Sequence, residues 1–286
     1  MKYKLIKNPM SDAATRAAYN KLATDTFGLS FEGWYQSGYF DGSHIPYTLF
    51  DGDMSVANIS INLMDVMYQG KMRKYIQLGT VMTKPEYRGI GLQKDIFNEI
   101  LADYGDKFDS MFLFANKNVL DFYPKLGFEK AVEYSFEKEI VPSAGNVKKL
   151  NMENASDLAL FKKYYEMGNS FSALEIKNGI ALEMFYLGGL YSDNVFYLPD
   201  FDCVVVCEAG ENSLVCLDIL GGKKYCLKEI AAVFGKERLI MGFTPKYITD
   251  FEIKELQNDD TTLFVFEKCE NIFSDSKLLF PLISHT

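Results

Sequence analysis

An arginine and two glycines at residues 88–91 form the segment best suited to hold an anionic ligand. Arg88 supplies a positive charge, while Gly89 and Gly91 leave the backbone bare where a ligand would approach. Apolar residues recur at helical spacing from Leu92, so a helix is predicted to begin at the glycine turn. Because the N–H groups of its first turn have no helical acceptor, they favour a phosphate group. The pattern therefore predicts a pyrophosphate-binding turn.

Two common nucleotide-binding patterns do not fit this turn. The pattern G-x-x-x-x-G-K-[ST] does not match it, and Lys94 stands where G-x-G-x-x-G requires its third glycine. The strands before the turn also form a hairpin-rich group rather than a βαβ unit. These observations argue against a nucleotide triphosphatase and against a dinucleotide-binding enzyme.

The segment VMTKPEYRGIG, Val81 to Gly91, resembles the cofactor-binding turn of the GNAT superfamily of acetyl-CoA-dependent N-acetyltransferases. It departs from the family pattern [QR]-x-x-G-x-[GA] at the first position, Glu86. A second segment, NKNVLDFYPKLGF from Asn116, is similar to the family's N-x-x-A-x-x-x-Y-x-x-x-G-F, with Val119 in place of the small residue. The resemblance implies that acetyl-CoA contacts Val81, Met82, Thr83, Arg88, Gly89, Ile90, Gly91, Leu92, Gln93 and Asn116.

The resemblance also implies direct transfer of an acetyl group to a primary amine of a small molecule or peptide. Tyr123 would protonate the leaving thiolate, and backbone N–H groups at residues 79–81 would polarise the thioester carbonyl. The general base is not evident, since the strand KYIQLGTV lacks the carboxylate that family members often place there. The candidates are the carboxylate of Thr286 and the side chains of Glu32, Asp41 and Asp65.

An aromatic helical segment precedes the first predicted hairpin, where the family places its acceptor pocket. We expect Phe31, Trp34 and Tyr35 to line that pocket, although core packing is the ordinary role of such residues. The missing strand carboxylate leaves an alternative open, a non-catalytic regulatory protein that binds acyl-CoA. A third reading is a scaffold whose second domain forms an oligomer interface, and a homo-oligomer is compatible with each reading.

The elements that position these residues occur twice in one order along the chain. We predict an α+β fold of two GNAT-like domains, each a mixed, mostly antiparallel sheet flanked by helices. Residues 1–140 form the catalytic domain, 141–149 a linker, and 150–286 a degenerate copy, in which Gly221 to Lys224 leave no room for a phosphate turn. This order is similar to tandem acetyltransferases of the enhanced-intracellular-survival type, without their third domain.

Composition sets the remaining expectations. The 286 residues carry a formal charge of −9, which disfavours nucleic acid as a partner and suits a cationic substrate. No apolar run approaches the ~20 residues that span a bilayer, and the first residues do not form a secretion signal. Five cysteines without a C-x-x-C pair and only two histidines indicate reduced, buried thiols and no metal site. We therefore expect a cytoplasmic protein.

Overall fold

The computed structural model describes residues 2–105, 107–257 and 260–286, which form two β-sheets flanked by helices. The first half contains strands β1 (Lys4–Lys7), β2 (His44–Asp51), β3 (Met54–Tyr68), β4 (Lys71–Thr83), β5 (Ser110–Ala115), β6 (Phe128–Lys130) and β7 (Tyr134–Glu139), with helices α1 (Ala13–Phe27), α2 (Glu32–Gln36) and α3 (Leu92–Tyr104). The second half contains strands β8 (Lys148–Lys149), β9 (Leu174–Ile176), β10 (Val195–Leu198), β11 (Cys203–Ala209), β12 (Ser213–Gly221), β13 (Arg238–Met241), β14 (Glu252–Glu255) and β15 (Thr262–Phe266), with helices α4 (Ala155–Tyr165), α5 (Ile180–Leu187) and α6 (Leu227–Ala232).

The predicted fold class is confirmed, because both sheets are mixed and mostly antiparallel. The first sheet has the order β1-β2-β3-β4-β5-β15-β6, with β9 paired to β3. The second has the order β14-β7-β13-β12-β11-β10-β8. Parallel pairing joins β4 to β5 in the first sheet and β12 to β13 in the second.

The two sheets exchange strands across the predicted linker. Strand β7 comes from the first half of the chain but pairs with β13 and β14 in the second sheet. Strand β15 comes from the second half and lies between β5 and β6 in the first sheet. The division into residues 1–140, 141–149 and 150–286 stays a prediction, and hydrogen-bonded strands cross it in both directions.

Three local predictions were wrong. Residues 128–140 are two strands, because Ala131 N–H bonds to Leu263 of the first sheet and the chain then crosses to the second. The predicted helix over 173–190 begins only at Ile180, and its first part is β9. Helix α4 is capped by Asn154, whose side chain accepts from the N–H groups of the predicted caps, residues 156 and 157. By contrast, Asp12 caps α1 as predicted.

Buried aromatic side chains join the two halves. Trp34 of α2 donates its indole N–H to the carbonyl of Ala181 in α5 at 2.8 Å. Phe31 stacks on Phe185 of α5 with ring centroids 5.5 Å apart. These contacts fix α5 against α2, so the second half contributes directly to the surroundings of the aromatic segment.

The cysteine expectation was partly wrong. All five thiols are free, and Cys203, Cys207 and Cys216 are buried, but Cys226 is exposed at the start of α6. In the part of the chain that the structure describes, no helix has both the length and the apolar character needed to cross a bilayer.

Candidate active site

Strand β4 separates from its parallel neighbour β5 halfway along its length. Their pairing runs from Tyr75–Ser110 to Leu78–Leu113, whereas β4 continues to Thr83 and remains paired with β3. The register with β3 shifts beside this point, and Thr80 has φ 42°, a left-handed conformation that is rare for a β-branched residue. The bulge therefore opens a gap beside residues 79–83, the segment predicted to hold the cofactor arm and the N–H groups that polarise its carbonyl.

The predicted glycine turn is open to solvent. Gly89 has φ 77° and Gly91 has φ 91°, so both need the conformational freedom of glycine. A side chain added at either position would meet no atom within 4 Å. Gly91 caps α3, and the first helical N–H to reach a carbonyl is that of Asp95, at 3.1 Å from the oxygen of Gly91. The first-turn N–H groups thus face space that an anion could fill.

Residues around the turn tie it to β4. Gln93 donates from Nε2 to the carbonyl of Met82 at 2.5 Å and to Thr83 Oγ1 at 2.8 Å. Arg88 donates from Nε to the carbonyl of Thr83 at 3.1 Å. The side chain of Met82 is buried among α1 and α2, Leu92 is buried against the sheet, and Ile90 is exposed. Only backbone groups of Met82 and Leu92 are therefore available to a ligand.

A cavity of about 1280 Å³ lies between the aromatic segment, α5 and the end of the chain. Phe31, Trp34 and Thr80 line it from the first half. The lining contributed by the second half includes Leu150, Met152, Leu182, Met184, Phe185 and Tyr186. Tyr35, predicted with Phe31 and Trp34, lies outside this lining, and its ring faces the guanidinium of Arg16 at 4.3 Å.

The last residue, Thr286, lies in this cavity and against the bulge of β4. A side chain at Gly79 would come within 2.7 Å of Thr286 Cβ and 3.1 Å of its carboxyl carbon, so the glycine makes room for it. Asn62 donates from Nδ2 to Thr286 Oγ1 at 3.0 Å, and that hydroxyl donates to Gln77 Oε1 at 3.0 Å. Tyr186 donates to the carbonyl of His285 at 2.6 Å. Strands β3 and β4 of the first sheet and helix α5 of the second half thus hold the tail at the gap.

His44 extends this polar chain and was missed by the sequence analysis as a site residue. Since the Asn62 amide nitrogen donates to Thr286, its oxygen accepts, and His44 Nδ1 donates to it at 2.7 Å. Burial lowers the pKa of His44 to about 4, so the ring is neutral and Nε2 carries a lone pair. Nε2 has no partner among the described residues, and His44 lines the cavity. The register at the turn alone would pair His44 with Ile61, and a bulge between Leu49 and Phe50 shifts the partner to Asn62, so the turn residues did not reveal the pair.

The two residues carried by the second sequence motif follow β5, the strand on the other side of the gap from β4. Asn116 directly follows β5, is exposed, and accepts from the N–H of Asn118 at 3.1 Å. Tyr123 begins a 3-10 helix and packs in the core of the first sheet, 5.8 Å from the ring of Phe264 in β15. Burial raises the pKa of Tyr123 to about 12, so its hydroxyl keeps its proton at neutral pH.

None of the side-chain carboxylates proposed from sequence lines the large cavity, although the charge of Asp41 is close enough to His44 to raise the pKa of the ring against the larger effect of burial. Glu32 bonds to Arg16 and Asp65 lies near Lys74, while Asp41 accepts from the N–H of Ser43. Within residues 2–105, 107–257 and 260–286, no three histidine, cysteine, aspartate or glutamate side chains form a group that could hold a metal ion.

Residues 14–131 match the family model described as an acetyltransferase (GNAT) domain. The structure is similar to a probable N-acyltransferase from Enterococcus faecalis, with a TM-score of 0.63 and 14% identity over 93% of this chain and 72% of that one. It is also similar to a GCN5-related N-acetyltransferase from Kribbella flavida (TM-score 0.57, 16% identity, 92% and 71% covered) and to Eis1 from Mycobacterium abscessus (0.54, 13%, 91% and 73%). No curated protein sequence matches the chain.

Proposed function

We propose that this chain, whose residues 14–131 match a GNAT acetyltransferase domain, transfers an acetyl group from acetyl-CoA to a primary amine of a small molecule or peptide. The observation that carries the proposal is the continuity of β4. One end of its unpaired edge, residues 79–80, borders the large cavity, and the other end, residues 82–83, is bonded to Gln93 and Arg88 of the open turn. A ligand that follows this edge connects the anion site to the cavity.

The residues at the turn fit the pyrophosphate of acetyl-CoA. Gly89 and Gly91 leave the space in front of the first-turn N–H groups free, and exposed Arg88 stands beside them. Residues 81–83 and Asn116 border the gap where the extended arm would lie. Bound in this way, acetyl-CoA supplies a thioester that an amine can attack.

The chain's own residues would then move two protons. In the proposal the neutral hydroxyl of Tyr123 gives a proton to the departing sulfur. The carboxylate of Thr286, which lies beside Gly79, accepts a proton from the attacking amine, and His44 Nε2 accepts a hydrogen bond from the same nitrogen. An anionic carboxylate also attracts the cationic form in which an amine arrives.

The size and chemistry of the cavity favour an amine with a substantial apolar part. Phe31, Trp34 and Phe185 form one wall. Among the charged lining residues, Lys149 is paired with Asp193 at 2.6 Å. With that pair neutralised, the remaining lining charges are those of Glu153 and the Thr286 carboxylate, which suit a cation.

Native mass spectrometry with added acetyl-CoA, followed by a thiol-release assay against a panel of amines, tests the proposal. We expect one CoA per chain and amine-dependent thiol release. Two residues appended after Thr286 should abolish release while leaving CoA binding intact. Binding without release for any amine would support the non-catalytic acyl-CoA-binding alternative, and absence of CoA binding would refute both.

A further inference from the structure

A second, smaller pocket lies on the opposite side of α5 from the large cavity. Its volume is about 250 Å³, and β9, α5, β12 and the chain's final segment surround it. Leu182, Met184 and Phe185 of α5 face the large cavity, whereas Glu183 faces the small pocket. The proposed acetyl transfer uses no residue of this pocket.

The buried carboxylate of Glu183 is not satisfied by the protein. Glu183 is only 6% exposed, and its Oε1 has no hydrogen-bond partner among the described residues. An unpaired buried acceptor costs about 1–3 kcal/mol, more if it is charged. The simplest explanation for an unpaired acceptor in the wall of a pocket is that the pocket binds a ligand carrying a hydrogen-bond donor.

Asp218 of β12 is the second carboxylate of the pocket. Its Oδ1 accepts from Asn169 Nδ2 at 2.5 Å and from the N–H of Ile219 at 2.8 Å, which fixes the side chain in place. Burial raises the pKa of Asp218 to about 6, and burial with the charge of Asp218 raises the pKa of Glu183 well above its usual range. A cation between the two carboxylates would relieve both penalties.

The other lining residues indicate the kind of cation. Glu166 and Glu175 add carboxylates, and Lys177 is occupied by its ion pair with Glu175 at 2.6 Å. The remaining walls are mainly apolar: Leu174, Ile176, Leu217, Leu220, Phe243 and Ile283. Paired carboxylates at one position and aliphatic walls beside them match a charged head group joined to a short hydrocarbon chain.

We propose that this pocket binds a small primary alkylammonium ion, with its head group between Glu183 and Asp218 and its chain along Leu217 and Phe243. The ammonium group has three donors for the carboxylate oxygens, and the hydrocarbon chain loses contact with water. This site is separate from the acceptor cavity and does not depend on acetyl transfer.

Calorimetry with n-butylammonium tests the proposal, with 1-butanol as the uncharged probe of matched shape. We expect butylammonium to bind at least about 10-fold more tightly than butanol, since charge-assisted hydrogen bonds are roughly twice as strong as neutral ones. Glu183→Gln and Asp218→Asn should each weaken butylammonium at least about 10-fold. Gln suits the first test because it resembles the neutral carboxyl that burial favours, which preserves the fold, yet it cannot take the negative charge that a bound ammonium ion would stabilise.

Glu129→Gln, an exposed change in β6 outside both cavities, is the control and should leave this binding unchanged. If butylammonium binding survives both Glu183→Gln and Asp218→Asn, or if butanol binds equally well, the proposal is wrong. A crystal structure of the wild-type chain with butylammonium provides a readout that needs no variant. Ligand density between Glu183 and Asp218 would support the site, and density only in the large cavity, or none, would overturn it.

Discussion

Each half of the chain has a pair of glycines with positive φ, but one pair is exposed to open space and the other is tightly packed. The open pair is Gly89 and Gly91, and the packed pair is Gly221 and Gly222. A side chain at either of the first two would meet nothing within 4 Å. At Gly221 it would lie 2.8 Å from the ring of Tyr164, and at Gly222 it would lie 3.0 Å from Cys203 Cβ. The same backbone conformation thus leaves room for a ligand in one sheet and permits close packing in the other.

The two sheets also differ at the point where their parallel strands stop pairing, β4 with β5 in the first sheet and β12 with β13 in the second. In the second sheet, pairing of β12 with β13 ends at Cys216–Met241, but Gly242 N–H continues to the carbonyl of Cys216 and Leu282 N–H bonds to Gly242. The chain's final segment therefore occupies the position beside β13. In the first sheet the corresponding gap receives the end of the chain, with Thr286 beside Gly79 of β4 and His285 stacked on Phe114 of β5. The same tail thus extends the pairing beside β13, whereas the edge of β4 at residues 81–83 stays unpaired with β5.

The largest expected effect is on CoA binding at the open turn. Gly91→Glu places an anion in front of the first-turn N–H groups, and we expect affinity for CoA to fall about 100-fold or more, or ~2.7 kcal/mol. Gly235→Glu is the matched control, because Gly235 also has positive φ and open surroundings but lies in the second half. Calorimetry that finds equal CoA affinity in wild type and Gly91→Glu would remove the turn from the site.

The next effect concerns catalysis without loss of packing. Tyr123→Phe keeps the ring against Phe264 but removes the hydroxyl, so kcat should fall roughly 100-fold with little change in KM for acetyl-CoA. Tyr164→Phe in the second half should leave kcat unchanged, although it removes a bond to Asp202. Unchanged turnover with a lower thermal midpoint for Tyr123→Phe would show that Tyr123 is structural.

A third change probes the packed turn. Gly221→Ala brings a methyl group against Tyr164 and within 2.9 Å of the Asp202 carbonyl at φ 84°. We expect a loss of about 2–4 kcal/mol in the free energy of unfolding and no change in CoA affinity. Chemical denaturation and calorimetry on one preparation measure both quantities. A variant as stable as wild type would mean that this turn is not constrained as described.

The smallest effect lies at the crossing between the sheets. Glu133 is buried, accepts from Phe280 N–H at 2.8 Å, and has its pKa raised by burial to about 7. Because the pKa of Glu133 is 4.5 in the unfolded chain and about 7 in the folded one, the folded state favours the neutral carboxyl. The free energy of unfolding of the wild type therefore falls as pH rises from about 4.5 to about 7. Glu133→Gln should remove about 1–3 kcal/mol of that loss.

Denaturant titrations at pH 5 and pH 8 measure this difference. Glu129→Gln, an exposed change in β6 just before this connection, is the control. An identical pH dependence in wild type and Glu133→Gln would show that Glu133 does not control it.

The sequence predicted the elements that depend on near neighbours. Hairpin turns and alternation located β2, β3 and β4, and helical spacing located α3. The exchange of β7 and β15 could not be predicted, because it depends on pairing between residues 99 or more positions apart in the chain. For the same reason β9, three residues opposite β3, was assigned to a helix. Asn154, Ser156 and Asp157 are all good cap residues, so propensity alone did not identify the cap.

The site was predictable to the same extent. Spacing located the glycine turn, whereas the link from His44 through Asn62 to Thr286 exists only once the tail has docked. Tyr35 was wrongly predicted to line the pocket, because its position in the helix did not show that its ring would turn towards Arg16.

The exchange of strands has a consequence for how the chain reaches its native state. Because β15 lies between β5 and β6, the first sheet stays incomplete on the ribosome until residue 266 has been synthesised. Pairing between such distant segments is slow to form, so nascent chains would expose unpaired edges for longer than two independent domains would. Once formed, the two sheets should unfold in one cooperative transition, and a chain truncated at the linker should be degraded.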